Sequence, residues 1–316
     1  MARIGYHASH EQFAPAALRD LAIRAEAAGF AAIKCSDHLQ PWSASQGQSG
    51  HAWCWLGAAM QATTLPFGNI AAPGYRYHPV VMAQAAATLA QMFPGRFWLA
   101  LGTGQALNEA MTGGVWPDKP ERNARLKECF DVMAALLRGE TVTHRGRITA
   151  IEARVWSLPD APPPLLGAAV TEDTARFVGG WADGLLTTGG DPGHVARVIE
   201  SFREGGGAGK PVHVQHALSW APTQDEAMAQ ALDQWAPAAI GGEVNWDLRR
   251  PSDFDLLAPL VDENRIARSV RVSADPGLHR ADVQALADLG ADTVFLHNVG
   301  RNQEDFIDMA GRELVG

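Results

Sequence analysis

The residues best suited to chemistry in this chain fall in one short stretch, Ala31 to Trp42, which reads AAIKCSDHLQPW. A brief apolar run with the composition of a buried strand ends in Ser36, Asp37 and His38, breaks at Pro41 and delivers Trp42. A histidine held by a neighbouring acid can serve as a general acid or base, and an indole beside it can wall a substrate pocket. The plainer alternative is a polar loop, in which Asp37 caps a helix or bonds the backbone and His38 is a satisfied polar side chain. Three other segments supply similar groups: Glu11, the run Asn69 to Gly74, and Thr103, Gln105, Asn108 and Glu109 in GTGQALNE.

These groups all fall just after apolar runs with strand character. The first run is Ile4–Tyr6, with Glu11 in the loop that follows, and the second ends at Ser36. Phe67–Ala72 and Phe97–Leu101 are expected as strands three and four, Leu165–Ala169 and Gly184–Thr188 as five and six, Val212–Trp220 as seven and Thr293–Val299 as eight. Helical spacing fills the intervals at Pro15–Ala28, Ala52–Thr63, Pro79–Met92, Lys119–Leu137, Glu172–Gly179, Pro192–Glu204 and Asp225–Trp235. Asp262–Val272, Arg280–Leu289 and Gln303–Leu314 are expected as further helices. Thr141–Trp156 alternates like a small hairpin, and Pro237–Pro259 looks irregular. Strands alternating with helices imply a parallel sheet, and eight is the number that closes a (β/α)8 TIM barrel. The expected organisation is one barrel over residues 1–316, with insertions at about 104–118, 139–162 and 237–261. No internal repeat of fixed period is present, which disfavours a solenoid or propeller. In such barrels the loops after the strands build the active site, and that is where the candidate residues lie.

Composition narrows the partners. The formal charge is −9 with no basic run, which argues against a nucleic-acid footprint and points to a small-molecule substrate. Cys35, Cys54 and Cys129 are odd in number and form no CxxC, so neither a disulfide framework nor a structural zinc site is expected, and a reducing cytoplasm fits. No apolar run approaches the roughly 18 residues of a membrane span, and MARIGYHASHEQF lacks the pattern of a signal peptide. The sequence therefore predicts a cytoplasmic protein.

GTGQALNE has neither the glycine spacing of a dinucleotide-binding fingerprint nor the Lys-Ser/Thr of a Walker motif. Its glycines either let the backbone approach a flat or anionic ligand or make a tight turn. Asp37, His38, His51 and Glu109 could be assembled into a metal site, as in a barrel hydrolase, but HxH and HExxH patterns are missing and no metal is expected. Lys34, inside an apolar strand, either faces the barrel interior paired with an acid or snorkels outward.

SDHLQPW, the long segment APGYRYHPVVMAQAAATLAQMFPGRFWLALGTGQALNE, and WP followed by an ERNARLKE helix resemble the bacterial-luciferase-like flavin and deazaflavin oxidoreductases. The branch related to F420-dependent glucose-6-phosphate dehydrogenase is the most similar, with dense matches from Ile4 to about Gly190 and weaker ones at DTVFLHNVGRNQEDF. The resemblance implies a barrel, a homodimer, and an FMN or F420 ring in the barrel mouth with its tail phosphate near strand five. It also implies a non-prolyl cis peptide at Asn69–Ile70. Carried over by motif, Asp37 and His38 would contact cofactor and substrate with His38 handling the proton, Trp42 would line the substrate pocket, Glu11 would orient the reacting group, and Asn108 would touch the ring. Thr103, Gly104 and Gln105 would adjoin the ring. Ala168, Ala169, Val170 and Thr171 would serve the tail, although Val170 and Thr171 replace a Gly-Gly pair of the sugar-phosphate enzymes. Gln105 stands where those enzymes have an acid, and Gly190 and Leu257 stand at about the places of their phosphate-gripping lysines. A phosphate dianion needs basic partners, so glucose 6-phosphate is disfavoured. The function implied is hydride transfer to or from a small organic substrate. Monooxygenation with externally reduced FMN, a metal-dependent hydrolase and a non-catalytic carrier are the alternatives.

Overall fold

The computed structural model describes residues 2–189, 191–242 and 244–315. The first half runs β1 (Arg3–Ala8), α1 (Pro15–Ala27), β2 (Ala32–Ser36), α2 (Ala52–Ala62), β3 (Phe67–Ala71), α3 (Pro79–Met92), β4 (Phe97–Leu101), α4 (Ala106–Glu109) and α5 (Lys119–Leu137). A hairpin of β5 (Val142–Arg145) and β6 (Thr149–Ala153) follows. Then come β7 (Leu165–Ala168), α6 (Glu172–Gly179), β8 (Leu185–Gly189), α7 (Pro192–Phe202), β9 (Val212–Ser219) and α8 (Gln224–Ala239). The chain closes with α9 (Val244–Asp247), α10 (Pro251–Leu257), α11 (Glu263–Ser269), β10 (Arg271–Val272), α12 (Pro276–Asp288), β11 (Thr293–Asn298) and α13 (Gln303–Ala310).

The parallel strands lie in the order β11-β1-β2-β3-β4-β7-β8-β9, and β9 pairs with both β8 and β11, which closes an eight-stranded barrel. The helices between them form the outer layer expected of a (β/α)8 fold. Successive side chains on a strand alternate between that helical layer and the barrel interior. On β2, Ile33 and Cys35 join the core shared with the helices, while Ala32 joins the interior cluster of Trp98, Ala100, Leu166, Leu186 and Phe295. The barrel floor packs large against small: a Cβ on Gly68 would sit 1.9 Å from the Trp98 ring, and one on Gly5 would sit 2.4 Å from Phe295.

Four expectations need correction. Asp262–Val272 is not a continuous helix: α11 stops at Ser269, and Arg271 and Val272 add an edge strand beside Leu218 and Ser219 of β9. The next helix starts at Pro276, four residues before Arg280, because Asp275 caps it through the Gly277 N–H. The stretch Pro237–Pro259 is largely helical, and α8 runs through Pro237 to Ala239. Among the described residues there is no cis peptide bond, so Asn69–Ile70 is trans. Both residues belong to the β3 ladder, in register with Leu99 and Ala100, and an extended trans backbone satisfies that pairing.

Candidate active site

Strand parity decides which residues after β2 reach the barrel mouth. Lys34, Ser36 and His38 continue the inward row, and Cys35 and Asp37 the outward one. His38 projects accordingly, with its side chain 18% exposed, and its Nδ1 lies against Oε1 of Glu11. Glu11 is nearly buried, and its other oxygen accepts a 2.9 Å hydrogen bond from Ser9 Oγ. Burial pushes the Glu11 carboxyl up, but the charge and hydrogen bond of His38 outweigh it and bring the group down to about 2. A carboxylate on Nδ1 selects the tautomer that leaves Nε2 as the acceptor, the arrangement a general base requires.

The loop carrying His38 is fixed from several sides. Ser49 Oγ donates to the His38 carbonyl at 2.7 Å, and Asn108 Oδ1 accepts from the N–H groups of Leu39 and Gln40 at 2.9 and 3.1 Å. The Trp42 indole packs edge-on to His38 at 5.9 Å between centroids and to Phe254 at 5.2 Å. Glu11, His38, Trp42 and Asn108, drawn from distant parts of the sequence, therefore meet at one mouth.

Asp37 and Asn69 do not point there. Asp37 accepts from Trp53 Nε1 at 2.7 Å and from Arg76 Nη2 at 3.1 Å, so the acid beside His38 in sequence anchors α2 and the loop after β3. Asn69 is wholly buried in the outward row and its Oδ1 takes a 3.5 Å contact from the Cys35 thiol. Ile70, in the inward row, instead packs against the interior cluster. Lys34 is on the inner side and fully buried, but no side chain bonds its Nζ, so it neither snorkels nor forms a direct ion pair.

After β4, Thr103, Gly104 and Gln105 are half-exposed along the mouth. Gly104 has φ +75° and stands where a Cβ would meet Glu109 and Ala72, a conformation suited to glycine alone. Gln105 Oε1 and Asn108 Nδ2 are buried and unpaired in this loop. Such an acceptor and donor fit the polar edge of a flavin or deazaflavin ring, and the half-buried Ile70, Gly102 and Ala168 supply small apolar surface beside it. At the end of β7, where the resemblance leads one to expect the cofactor tail, Ala169 is buried, the Val170 carbonyl accepts from His194 Nε2 at 2.9 Å, and Thr171 caps α6 through the Thr174 N–H. The Gly190 position lies outside the described residues.

A cleft of about 400 Å³ has both Trp42 and Thr171 in its lining. Its lining is Trp42, Thr171, Ala238, Gly241, Gly242, Asn245 and Trp246, with no basic side chain. The sequence did not single out Trp246, Arg76 or Lys119. Arg76 bridges Asp37 and Glu109, accepting neither but donating to both, through Nη2 to Asp37 and its backbone N–H to Glu109 Oε2 at 3.1 Å. Burial lifts Glu109 to about 7 despite Arg76. Lys119 Nζ donates to Thr103 Oγ1 at 3.0 Å, and burial with the nearby Arg122 lowers it to about 8. The GYRYHP segment after β3 was the one available signal for Arg76; nothing in the pattern marks Lys119.

The four groups considered for a metal are each held by protein partners: His38 by Glu11, His51 by the Tyr77 hydroxyl at 2.8 Å, Asp37 by Trp53 and Arg76, and Glu109 by Arg76. Among the described residues no helix is long and apolar enough to cross a membrane.

The acid-backed histidine lies at the mouth of a parallel eight-stranded barrel, the end at which enzymes of this fold build their active sites. The model of the luciferase-like monooxygenase family matches residues 1–293, and the chain belongs to that family. It is 35% identical to the F420-dependent glucose-6-phosphate dehydrogenase of Microbacterium testaceum (strain StLB037), over 99% of this chain and 96% of the relative. An F420-dependent secondary alcohol dehydrogenase, solved in complex with an F420-acetone adduct, superposes with a TM-score of 0.92 at 30% identity, covering 100% of this chain and 99% of that one. The F420-dependent tetrahydromethanopterin reductase of Methanopyrus kandleri shares the fold, with a TM-score of 0.79 at 21% identity.

Proposed function

We propose that this protein is an F420-dependent oxidoreductase that interconverts an uncharged secondary alcohol and its ketone, and that glucose 6-phosphate is not its substrate. The observation that carries this reading is the Glu11–His38 pair beside Trp42, whose indole also lines a cleft that, among the described residues, is lined by no cationic side chain. A phosphate dianion entering there would lose its hydration without gaining a charged partner. Relatives named for F420 and for a secondary alcohol support the cofactor and the substrate class.

A bound deazaflavin would supply the acceptor or donor for the hydride of the carbinol carbon. The protein handles the rest. His38 Nε2 takes the hydroxyl proton during alcohol oxidation and returns it during ketone reduction, while Glu11 holds the ring and stabilises the imidazolium that forms. Trp42 and Trp246 exclude water and pack the apolar substituents of the carbinol. Gln105 and Asn108 provide the unpaired acceptor and donor for the ring edge, and the β7 end of the cleft at Thr171 receives the tail.

Fluorescence titration of the purified protein with F420 and with FMN, followed by alcohol-dependent F420 reduction, tests this. The expected result is tight F420 binding, and reduction by secondary alcohols but not by glucose 6-phosphate. Binding of FMN alone would transfer the site to the monooxygenase alternative, and binding of neither would remove the oxidoreductase chemistry.

A further inference from the structure

The main chain on either side of His38 is held by hydrogen bonds from two other strand ends. Before it, Arg76 Nη2 donates to the Asp37 carbonyl at 2.8 Å. After it, Asn108 Oδ1 accepts from the N–H groups of Leu39 and Gln40. Arg76 lies in the loop after β3 and Asn108 in α4 after β4, the next two strands round the barrel from β2. Glu109 follows Asn108 directly and joins the two supports, since its Oε2 accepts from the Arg76 backbone N–H at 3.1 Å and its Oε1 lies 3.9 Å from Arg76 Nε.

Arg76 is itself fixed on every side. Its loop closes through the Gly74 N–H and the Tyr77 carbonyl at 2.8 Å, and its guanidinium lies over the Tyr77 ring, 4.4 Å from the centroid. The Tyr77 hydroxyl meets His51 Nε2 at 2.8 Å, and His51 caps α2. The same Nη2 that grips the Asp37 carbonyl also donates to Asp37 Oδ1 at 3.1 Å. The three side chains are nearly dry, with Arg76 11%, Asp37 0% and Glu109 1% exposed. Desolvating such a cluster costs about what its attraction returns, so apolar residues of equal volume would serve stability as well. They would not supply a donor to the Asp37 carbonyl. Nor would a lysine in the same way, because an ammonium is a point charge, whereas the planar guanidinium holds Asp37 with Nη2 while its Nε faces Glu109.

We propose that Arg76 is a positioning residue for the reaction: by holding the Asp37 carbonyl, with Glu109 holding Arg76 in turn, it sets the peptide that carries His38 and so keeps the imidazole on Glu11 with Nε2 presented to substrate. This rests on the proton role proposed for His38 above. Arg76 acts on His38 through the Asp37 peptide, which its Nη2 reaches directly. The competing account is charge neutralisation, in which Arg76 serves only to offset two buried acids.

The test is Arg76→Lys, which keeps the charge and removes the fork, made in the wild type and in a His38→Ala background. In the apoprotein, long-range ¹H–¹⁵N spectra of His38 are expected to show the Nδ1–H tautomer in the wild type and a mixture in Arg76→Lys. Turnover of a secondary alcohol with F420 is expected to fall about tenfold in kcat with little change in KM, the size of a catalytic group displaced by a fraction of an ångström. In the His38→Ala background the same substitution is expected to cost nothing further, because the group it positions is gone. Charge neutralisation predicts instead that Arg76→Lys keeps both the wild-type tautomer and the wild-type kcat, and that result would overturn the proposal. An equal loss of kcat in the two backgrounds would overturn it as well. Should Arg76→Lys not fold, Arg76→Met combined with Glu109→Gln, which removes the cation together with an acid that it faces, carries the same readouts. Absence of F420-linked turnover in the wild type would sink the functional reading, while the tautomer measurement would still decide the role of Arg76.

Discussion

The barrel interior has two unlike sectors. From β4 through β8 it is apolar and closely interlocked, with Trp98, Ala100, Leu166 and Leu186 packed together and Gly68 yielding its space to the Trp98 ring. Along β11, β1 and β2 the same interior holds His297, His7 and Lys34, several of whose polar atoms have no partner. Apolar packing stabilises the first sector, whereas desolvated charge costs stability in the second. Glu11 and His38 lie above the second sector. Unsatisfied polar groups lie under the chemistry, while the apolar cluster centred on β4 through β8 continues to Phe295 on β11 and Ala32 on β2.

Substitutions on the two sides should therefore fail differently. His38→Ala is expected to reduce alcohol oxidation by about 10² to 10⁴-fold, as for loss of a general base, with F420 affinity retained in the fluorescence titration. Retention of full turnover would remove His38 from the proton role. On the quiet side, Gly68→Ala forces a methyl into the Trp98 ring and is expected to destabilise by about 1–3 kcal/mol or more in chemical denaturation. That loss should appear in the denaturation midpoint, with kcat of the folded fraction unchanged.

Two smaller effects depend on pH. Glu11 is depressed to about 2 in the folded state, so its contribution is present above its unfolded value near 4.5 and is lost as pH falls from there toward 2. Glu11→Gln should flatten that part of the acid denaturation curve. Glu109 has the opposite sign: raised to about 7, it favours the fold at low pH and loses that advantage as pH rises from 4.5 through 7. Glu109→Gln is expected to narrow the difference in Tm between pH 5 and pH 8 by a few °C, on the order expected for a partly compensated buried acid. An unchanged difference would place Glu109 in a better solvated setting than its burial indicates.

Much of this arrangement was legible in the residues. The alternation of strands and helices led to the barrel, and the strand ends led to Glu11, His38, Trp42 and Asn108. Asp37 and Asn69, which the family resemblance adds to that group, lie in the outward rows of their strands. Period-two parity separates them: Ile33, Cys35 and Asp37 face the helices, as do Phe67 and Asn69, while Lys34 and His38 face inward. Parity also answers the question posed by Lys34. The run of α8 through Pro237 and the edge strand at Arg271 were not legible, because tertiary packing overrides local signals at both. Lys119 was hidden for a similar reason, since the first residue of an amphipathic helix gives no sign that its amine will reach Thr103.

The most direct measurement is rapid-mixing reduction of F420 by a secondary alcohol, with wild type and Glu11→Gln compared at saturating cofactor. The account predicts fast reduction by the wild type and a rate lower by about 10- to 100-fold in the variant, with a deuterium isotope effect on the carbinol hydrogen in both. Equal rates in the two proteins would contradict it.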